Sequence, residues 1–97
     1  MDKLIEVEHA GIILKKEFME PLKVSTYKLT KETGIDQMTL HKIIHGKRSI
    51  TAKTGLKLSK FFGLSDNYWV NLQVDYDIRI AKTQISEELK LIVPLQA

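Results

Sequence analysis

Apolar residues recur along most of this chain at steps of three and four, the spacing that places them on one face of an α-helix. In the first third of the chain the apolar positions at this spacing are Ile13, Leu14, Phe18 and Leu22. Pro21 is expected to end or bend this first helix because proline has no amide N–H to donate. Residues 1–8 are interpreted as a loose lead-in or a short extended segment.

Short polar residues and glycines mark the ends of the next three helices. Ser25, Asp36 and Thr51 are predicted N-caps, since their side-chain oxygens can accept a hydrogen bond from an unpaired amide. Glycine follows each predicted helix and tolerates the left-handed conformation found there; the three residues are Gly34, Gly46 and Gly63. The core candidates of these helices are Leu29, Ile35, Leu40, Ile43, Ile44, Leu56, Leu58 and Phe62.

A fifth helix is predicted from about Asp66 to Lys82, with Ser65 as its cap. It carries two apolar stripes. The first consists of Trp69, Leu72, Tyr76 and Ile80. The second consists of Val70, Val74, Ile78 and Ala81. Two stripes need two partners, which are the chain's own core and a second subunit. We assign the first stripe to a dimer interface. Which stripe meets the partner stays open, as does the alternative that both pack in one core wrapped by residues 83–97.

These elements predict an all-α fold of five helices in one domain over residues 1–97. Residues 25–46 form two short helices around a tight turn, the layout of a helix-turn-helix, which places its second helix in the DNA major groove. Residues 83–97 form a short C-terminal extension. Within it, LKLIV is either a short strand or an apolar docking segment, broken by Pro94.

Composition excludes several classes of protein. The chain has 97 residues, 43% of them hydrophobic, which is enough for one core. It has no cysteine, so a disulfide scaffold is excluded and a reducing cytoplasm is favoured. Its apolar runs are too short to span a membrane, and its charged N-terminus lacks the apolar region of a signal peptide.

Charge is distributed unevenly along the chain. Residues 23–60 hold nine basic and two acidic residues, a formal +7, whereas the remainder is −4, for a net +3. A basic middle between acidic ends predicts one face for a polyanion and another for a different partner. Lysines alone would more often be solvated surface, but their coincidence with the two-helix motif favours nucleic acid.

The helix-turn-helix interpretation assigns two kinds of DNA contact. The third helix presents polar side chains from its first turns, and the base-reading candidates are Gln37, Met38, Thr39 and Lys42. The start of the second helix and the loop after the third meet the backbone, and the phosphate-binding candidates are Ser25, Thr26, Lys47 and Arg48. The partner predicted from these residues is double-stranded DNA.

The chain resembles a known family over roughly residues 9–82. Residues 25–48 look like the Xre/Cro-type helix-turn-helix of phage-repressor-like proteins. Three segments in the same order extend the resemblance to the HigA/VapI group of antitoxins: HAGIILKKEFMEPLKVS, GIDQMTLHKIIHGKRSIT and LSKFFGLSDNYWVNLQVDYDIRIA. Some positions depart from the family pattern. Lys23 replaces a common glycine, Thr26 a frequent glutamine of the wider repressor family, and Thr30 a usual alanine at the helix crossing.

The resemblance implies a transcriptional autorepressor that binds a palindromic operator as a homodimer. It also implies an antitoxin that neutralises a small basic RelE-like ribonuclease, for which acidic residues are the candidate contacts: Glu6, Glu8, Glu17 and Glu20. The alternatives are a stand-alone Xre-type repressor without a toxin, and a helical interaction domain that has lost DNA binding.

No enzyme, metal site or cofactor is predicted. His41 and His45 lie one helical turn apart, a spacing that suits metal ligands. The segment HKIIH lacks the glutamate of a zinc protease, so a polar face on a DNA-reading helix is the favoured interpretation. The carboxylate pairs Asp75/Asp77 and Glu87/Glu88 have no nucleophile or base beside them in the sequence.

Overall fold

The computed structural model describes residues 8–96, and every regular element among them is helical. The first helix, α1, runs through three segments, of which Ala10–Ile13 is α-helical, Leu14–Met19 is π-helical and Glu20–Leu22 is α-helical again. The others are α2 (Thr26–Thr33), α3 (Gln37–Ile44), α4 (Ala52–Phe62), α5 (Tyr68–Gln84) and α6 (Ser86–Lys90). The predicted all-α fold is confirmed, and α6 is an additional short helix in the C-terminal extension.

The predicted caps of the middle helices are confirmed. Ser25 Oγ accepts from the Lys28 amide at 3.0 Å, Asp36 Oδ2 from the Thr39 amide at 3.1 Å and Thr51 Oγ1 from the Thr54 amide at 3.4 Å. The three glycines that follow α2, α3 and α4 are all left-handed, with φ between 70° and 75°. Each cap satisfies backbone groups that a helix end leaves unpaired.

The predicted boundaries of the last helix were wrong. Helix α5 begins at Tyr68, and its amide donates to the Ser65 carbonyl at 3.1 Å, so Ser65 opens a preceding turn and does not cap the helix. The strand considered for LKLIV is not formed. Leu89 and Lys90 end α6, and residues 91–96 have no regular structure.

The core is built from the inner faces of α1 to α5, and its fully buried members are led by Trp69, Leu14, Leu29, Leu40, Ile43 and Leu58. The prediction of Leu56 as a core residue is wrong, and Leu22 does not share the burial of the other apolar positions of the first helix. Leu22 is 60% exposed because the wider π-helical turn changes the phase of α1 and buries Met19 instead. Leu56 is 48% exposed because α4 turns the small residues Gly55 and Ser59 toward the core.

An aromatic cluster joins α1, α4 and α5. The Phe18 ring lies edge-on to Phe62 and Trp69, with centroid distances of 5.2 and 4.9 Å, and Tyr68 borders the same group. Edge-to-face packing adds stabilisation beyond the buried area. The cluster fixes the orientation of α5 against the rest of the bundle.

Helix α1 packs directly against α3 at Gly11. A Cβ on Gly11 would overlap the carbonyl oxygen of Ile43, so only glycine permits this approach. His9, immediately before α1, caps it by accepting the Gly11 amide on Nδ1 at 2.9 Å. The helix that is predicted to read DNA is therefore held from behind by backbone contact.

A candidate nucleic-acid interface

Helices α2 and α3 form the predicted helix-turn-helix. A turn of three residues, 34–36, connects them, and Ile35 within it is only 5% exposed. Leu29, Leu40 and Ile43 face inward and are completely buried. Because the apolar face of α3 is used by the core, its other face is left for solvent or a ligand.

The predicted base-reading residues share that outer face of α3. Gln37, Met38 and Lys42 are exposed, with Met38 at 60%, and Thr39 is half-buried. His41 lies exposed among them. A row of one amide, one thioether, one hydroxyl and one ammonium group can donate to and accept from base edges and contact a thymine methyl.

The loop after α3, residues 46–50, brings one predicted phosphate ligand to the reading helix. Arg48 Nη1 donates to Thr39 Oγ1 at 3.3 Å, and the Thr39 amide in turn donates to Asp36. The guanidinium therefore lies over the first turns of α3, and the sequence pattern did not predict this contact. Lys47 is exposed in the same loop.

The start of α2 supplies the other predicted phosphate ligands. Ser25 is exposed and already caps the helix through its hydroxyl, while Thr26 is half-buried in the first turn. A surface depression beside them is also lined by Lys15 and Lys23. Lys23 lies two residues before Ser25 in sequence, whereas Lys15 is brought beside the N-terminus of α2 only by folding, so the sequence pattern did not indicate it.

The two histidines of α3 lie against each other, with ring centroids 4.3 Å apart. Nδ1 of His45 is within 2.8 Å of the His41 carbonyl oxygen and is engaged there. Within residues 8–96 no group of three potential metal ligands converges.

Most of the first apolar stripe of α5 faces inward, and only Ile80 at its end is exposed. Trp69 has no exposed surface and Leu72 packs against the core, so the assignment of Trp69 to a dimer interface was wrong. Tyr76 is half-buried against the His9 ring at a centroid distance of 5.2 Å. The exposed apolar residues of α5 are Val74 (45%), Ile78 (53%) and Ile80 (38%). The outward face thus combines Val74, Ile78 and Ala81 of the second stripe with Ile80, whereas Val70 is half-buried beside Gly55.

Gln73 is a residue whose role the sequence pattern did not reveal. It is buried, at 3% exposure, and accepts the Ile50 amide on Oε1 at 2.9 Å. Its Nε2 donates to Asp77 Oδ1 at 3.0 Å. The side chain therefore connects α5 to the end of the loop that carries Lys47 and Arg48.

His9 is a second residue that was not selected. Burial lowers the pKa of His9 below its ordinary value, and the nearby Asp77 carboxylate opposes this shift. A neutral imidazole is required at this position because Nδ1 acts as a hydrogen-bond acceptor.

No helix within residues 8–96 is both long enough and apolar enough to cross a membrane.

Comparison with known proteins places the chain in a family. The helix-turn-helix family model matches residues 15–69. Virulence-associated protein I of Dichelobacter nodosus is 33% identical over 90% of this chain and 80% of its own length. An addiction module antidote protein of the HigA family from Coxiella burnetii is 37% identical, with a TM-score of 0.86 over 94% of this chain and all of that one.

A further solved structure contains DNA. It is the antitoxin HigA of Pseudomonas aeruginosa with the higBA promoter, which is 27% identical to this chain and superimposes with a TM-score of 0.87, covering 94% of this chain and all of the other. The resemblance inferred from the three sequence segments is confirmed. The chain belongs to the helix-turn-helix family and, within it, to the HigA/VapI group of antitoxins.

Proposed function

We propose that this protein is a DNA-binding antitoxin that represses its own operon, binds a palindromic operator as a dimer and neutralises a RelE-like ribonuclease. The observation that carries the proposal is the outer face of α3, which is polar, exposed and continuous with the basic loop 46–50. The similarity to a HigA antitoxin whose structure includes its promoter supports DNA as the ligand. The protein acts by binding, not by catalysis, and works in the cytoplasm.

The proposed contacts divide into two sets. Base reading belongs to the outer face of α3, through Gln37, Met38, Thr39 and Lys42. Phosphate binding belongs to Ser25, Thr26, Lys47 and Arg48. The contact from Arg48 to Thr39 aligns the phosphate-binding loop with the reading helix. Phosphate contacts give affinity and a salt dependence, whereas base contacts give sequence preference.

The proposed dimer uses the exposed apolar face of α5 and the residues that follow it. Ile80 stays in this interface and is joined by Val74 and Ile78, while the half-buried Leu72 and Tyr76 support it from within. A two-fold dimer suits a palindromic operator, because each subunit then reads one half-site. Ile78→Glu is expected to shift the protein toward monomer in analytical ultracentrifugation.

Operator binding tests the first part of the proposal. Fluorescence anisotropy with the protein's own promoter is measured for the wild type, Gln37→Ala and Lys47→Ala. Gln37→Ala is expected to relax preference at one base pair, while Lys47→Ala weakens all sequences alike and reduces the salt slope by about 1. Lys60→Ala, which changes an exposed lysine in the last turn of α4, is the matched control and leaves binding unchanged. Absence of binding by the wild type even at low salt would refute the DNA function and favour an interaction domain.

Co-expression with the neighbouring reading frame tests the second part. The expected result is that a small basic protein co-purifies and that its toxicity is suppressed. The proposed contact surface is the acidic set on α1 and before it, in which Glu8 binds Lys16 at 2.8 Å and Glu17 and Glu20 are exposed. Glu6 lies outside the described residues. Operator binding without any co-purifying partner would instead support a stand-alone repressor.

A further inference from the structure

The buried amide of Gln73 lies between the helix α5 and the DNA-facing loop. Gln73 is 3% exposed and is 23 residues away in sequence from Ile50, whose amide it accepts at 2.9 Å. A buried backbone amide without a partner is costly, so this single side chain satisfies a group that the loop itself leaves unpaired.

Asp77 determines which way the Gln73 amide points. A carboxylate can only accept hydrogen bonds, so the Gln73 atom facing Asp77 Oδ1 at 3.0 Å must be the amino group. The carbonyl oxygen is then the atom that faces the Ile50 amide. Asp77 and Gln73 lie four residues apart on α5, so the regular helix sets this orientation.

The loop 46–50 is fixed at both ends. At its start the Lys47 amide donates to the Lys42 carbonyl at 2.8 Å, which ties it to the last turn of α3. At its end the Ile50 side chain is 3% exposed in the core and its amide is held by Gln73. Between these anchors lie Lys47 and Arg48, whose exposed side chains depend on the loop for their direction.

We infer that Gln73 is a positioning residue for operator binding: through Ile50 it sets where Lys47 and Arg48 meet the DNA backbone. Gln73 itself touches no DNA. The inference rests on the proposed DNA-binding function and deepens it, because it assigns a role to Gln73 and Asp77 on α5, outside the helix-turn-helix. It also gives α5 a direct connection to the interface, independent of the α2–α3 packing.

The test compares Gln73→Leu with the wild type in operator binding over a range of salt concentrations. Leucine fills a similar volume but cannot accept the Ile50 amide, so the end of the loop is released. Affinity is expected to fall about tenfold, the order that follows when one buried backbone amide is left without its acceptor. The salt slope is expected to fall by about 1, as if a phosphate contact were missing.

A double-mutant cycle separates positioning from general stability. If Gln73 acts through Lys47, then Lys47→Ala costs much less affinity in the Gln73→Leu background than in the wild type. If Gln73 is merely structural, its replacement lowers the melting temperature, while affinity and salt slope measured well below that temperature stay at wild-type values. That second result, or full additivity of the two substitutions, would overturn the inference.

Exchanging the amide and the carboxylate between positions 73 and 77 tests whether operator binding can be rescued. Gln73→Glu places a second carboxylate beside Asp77 and is expected to weaken operator binding. Adding Asp77→Asn supplies an amide donor to the new carboxylate, whose other oxygen still accepts the Ile50 amide, so affinity and salt slope recover. Asp77→Asn alone is the matched control for the change of charge. It can still accept from Gln73 Nε2 but no longer fixes the orientation of that amide, so its loss of affinity is expected to be smaller than that of Gln73→Glu.

Asp77→Ala tests the same inference without a substitution at position 73, and it is needed if the Gln73 variants do not fold. Asp77 is exposed, so this variant folds, but the Gln73 amide loses the partner that orients it. The expected loss of affinity is about threefold, smaller than for Gln73→Leu, because the Gln73 carbonyl oxygen can still accept the Ile50 amide. Wild-type affinity in this variant argues against the inference. If the wild type itself does not bind its operator, the proposed function fails as well; if it binds and the variants match it, only the role of Gln73 is refuted.

Discussion

The molecule contains two regions with similar apolar content and opposite burial. Residues 10–73, the N-terminal bundle, contain every core residue from Ala10 to Trp69. In residues 74–96, the C-terminal arm, no side chain is buried and only Tyr76 is half-buried. The arm nevertheless carries many large apolar residues: Val74, Ile78, Ile80, Ile85, Leu89, Leu91, Ile92, Val93 and Leu95.

The difference lies in what the apolar residues pack against. In the bundle, five helices turn their apolar faces to one another and leave the polar face of α3 free. In the arm, the last turns of α5 and the short α6 extend past the bundle and find no opposing helix within residues 8–96. A high density of exposed apolar side chains of this kind is typical of an interaction site. The bundle therefore supplies the fold, and the arm supplies the proposed contact between subunits.

The largest expected effect comes from a matched pair of leucines, one in each region. Leu58 is fully buried and Leu91 is 82% exposed. Leu58→Ala is expected to lower the free energy of unfolding by about 2–5 kcal/mol, because it removes buried methyl groups and leaves a cavity. Leu91→Ala is expected to change it by less than about 0.5 kcal/mol. Urea denaturation followed by circular dichroism, at concentrations where the chain is monomeric, measures both.

The same pair of leucines also tests whether the arm is free of the bundle. A large loss from Leu91→Ala in the monomer would show that the arm folds onto its own bundle. A loss that appears only as protein concentration rises is the result expected if Leu91 is buried between subunits.

The bundle was largely predictable because its signals are local. A hydroxyl or carboxylate before a helix and a glycine after it act within four residues, and the caps at Ser25, Asp36 and Thr51 formed as expected. The errors arose where the phase of a helix depends on neighbours. Leu22 is exposed although it shares the apolar spacing of the first helix, because α1 contains a π-helical segment, and no spacing rule for α-helices predicts that change.

The site was only partly predictable for a similar reason. The exposed face of α3 follows from its apolar residues, so Gln37, Met38 and Lys42 were placed correctly on the surface. The link between Gln73 and Ile50 joins residues far apart in sequence, and no periodicity encodes it. Trp69 was assigned to the wrong face because two stripes on one helix do not reveal which one meets the core.

The second prediction concerns the junction between the regions, where His9 caps α1 and packs on Tyr76. Burial lowers the pKa of His9 in the folded protein, so the unfolded chain binds a proton more readily. The stability contributed by neutral His9 is therefore fully present above the ordinary histidine pKa of 6.5 and is lost as pH falls below it toward the folded value. The melting temperature, measured from pH 8 to pH 5 in steps of about 0.5, records this loss.

A histidine-to-asparagine replacement isolates this effect. His9→Asn keeps a side-chain acceptor for the cap but cannot be protonated, so the decline in melting temperature below pH 6.5 is expected to become shallower. His9→Ala removes the cap as well and is expected to be about 1 kcal/mol less stable than His9→Asn at every pH. His41→Ala, which changes an exposed histidine, is the control and keeps the wild-type profile. Identical profiles of melting temperature against pH for the wild type and His9→Asn would show that protonation of His9 does not change the stability of the protein.

The smallest effect is a gain within the bundle. Lys23 has φ of 57°, and it is the only residue other than glycine with positive φ among residues 8–96. The resemblance to the HigA/VapI group places Lys23 where that group commonly has glycine. Glycine accepts this conformation without a Cβ penalty. Lys23→Gly is expected to raise the free energy of unfolding by about 0.5 kcal/mol, because relief of strain exceeds the added entropy of the unfolded chain.

Lys23→Ala separates strain from charge, since it removes the ammonium group but keeps the Cβ. Alanine is expected to be no more stable than lysine at this position, and about 1 kcal/mol less stable than glycine. Both variants also remove a lysine from the depression beside Ser25, so any loss of operator affinity should be equal in the two. Urea denaturation gives the stabilities and anisotropy gives the affinities. Equal stability of the glycine and alanine variants would mean that the turn between α1 and α2 stores no strain, and that the bundle is already relaxed at its one left-handed lysine.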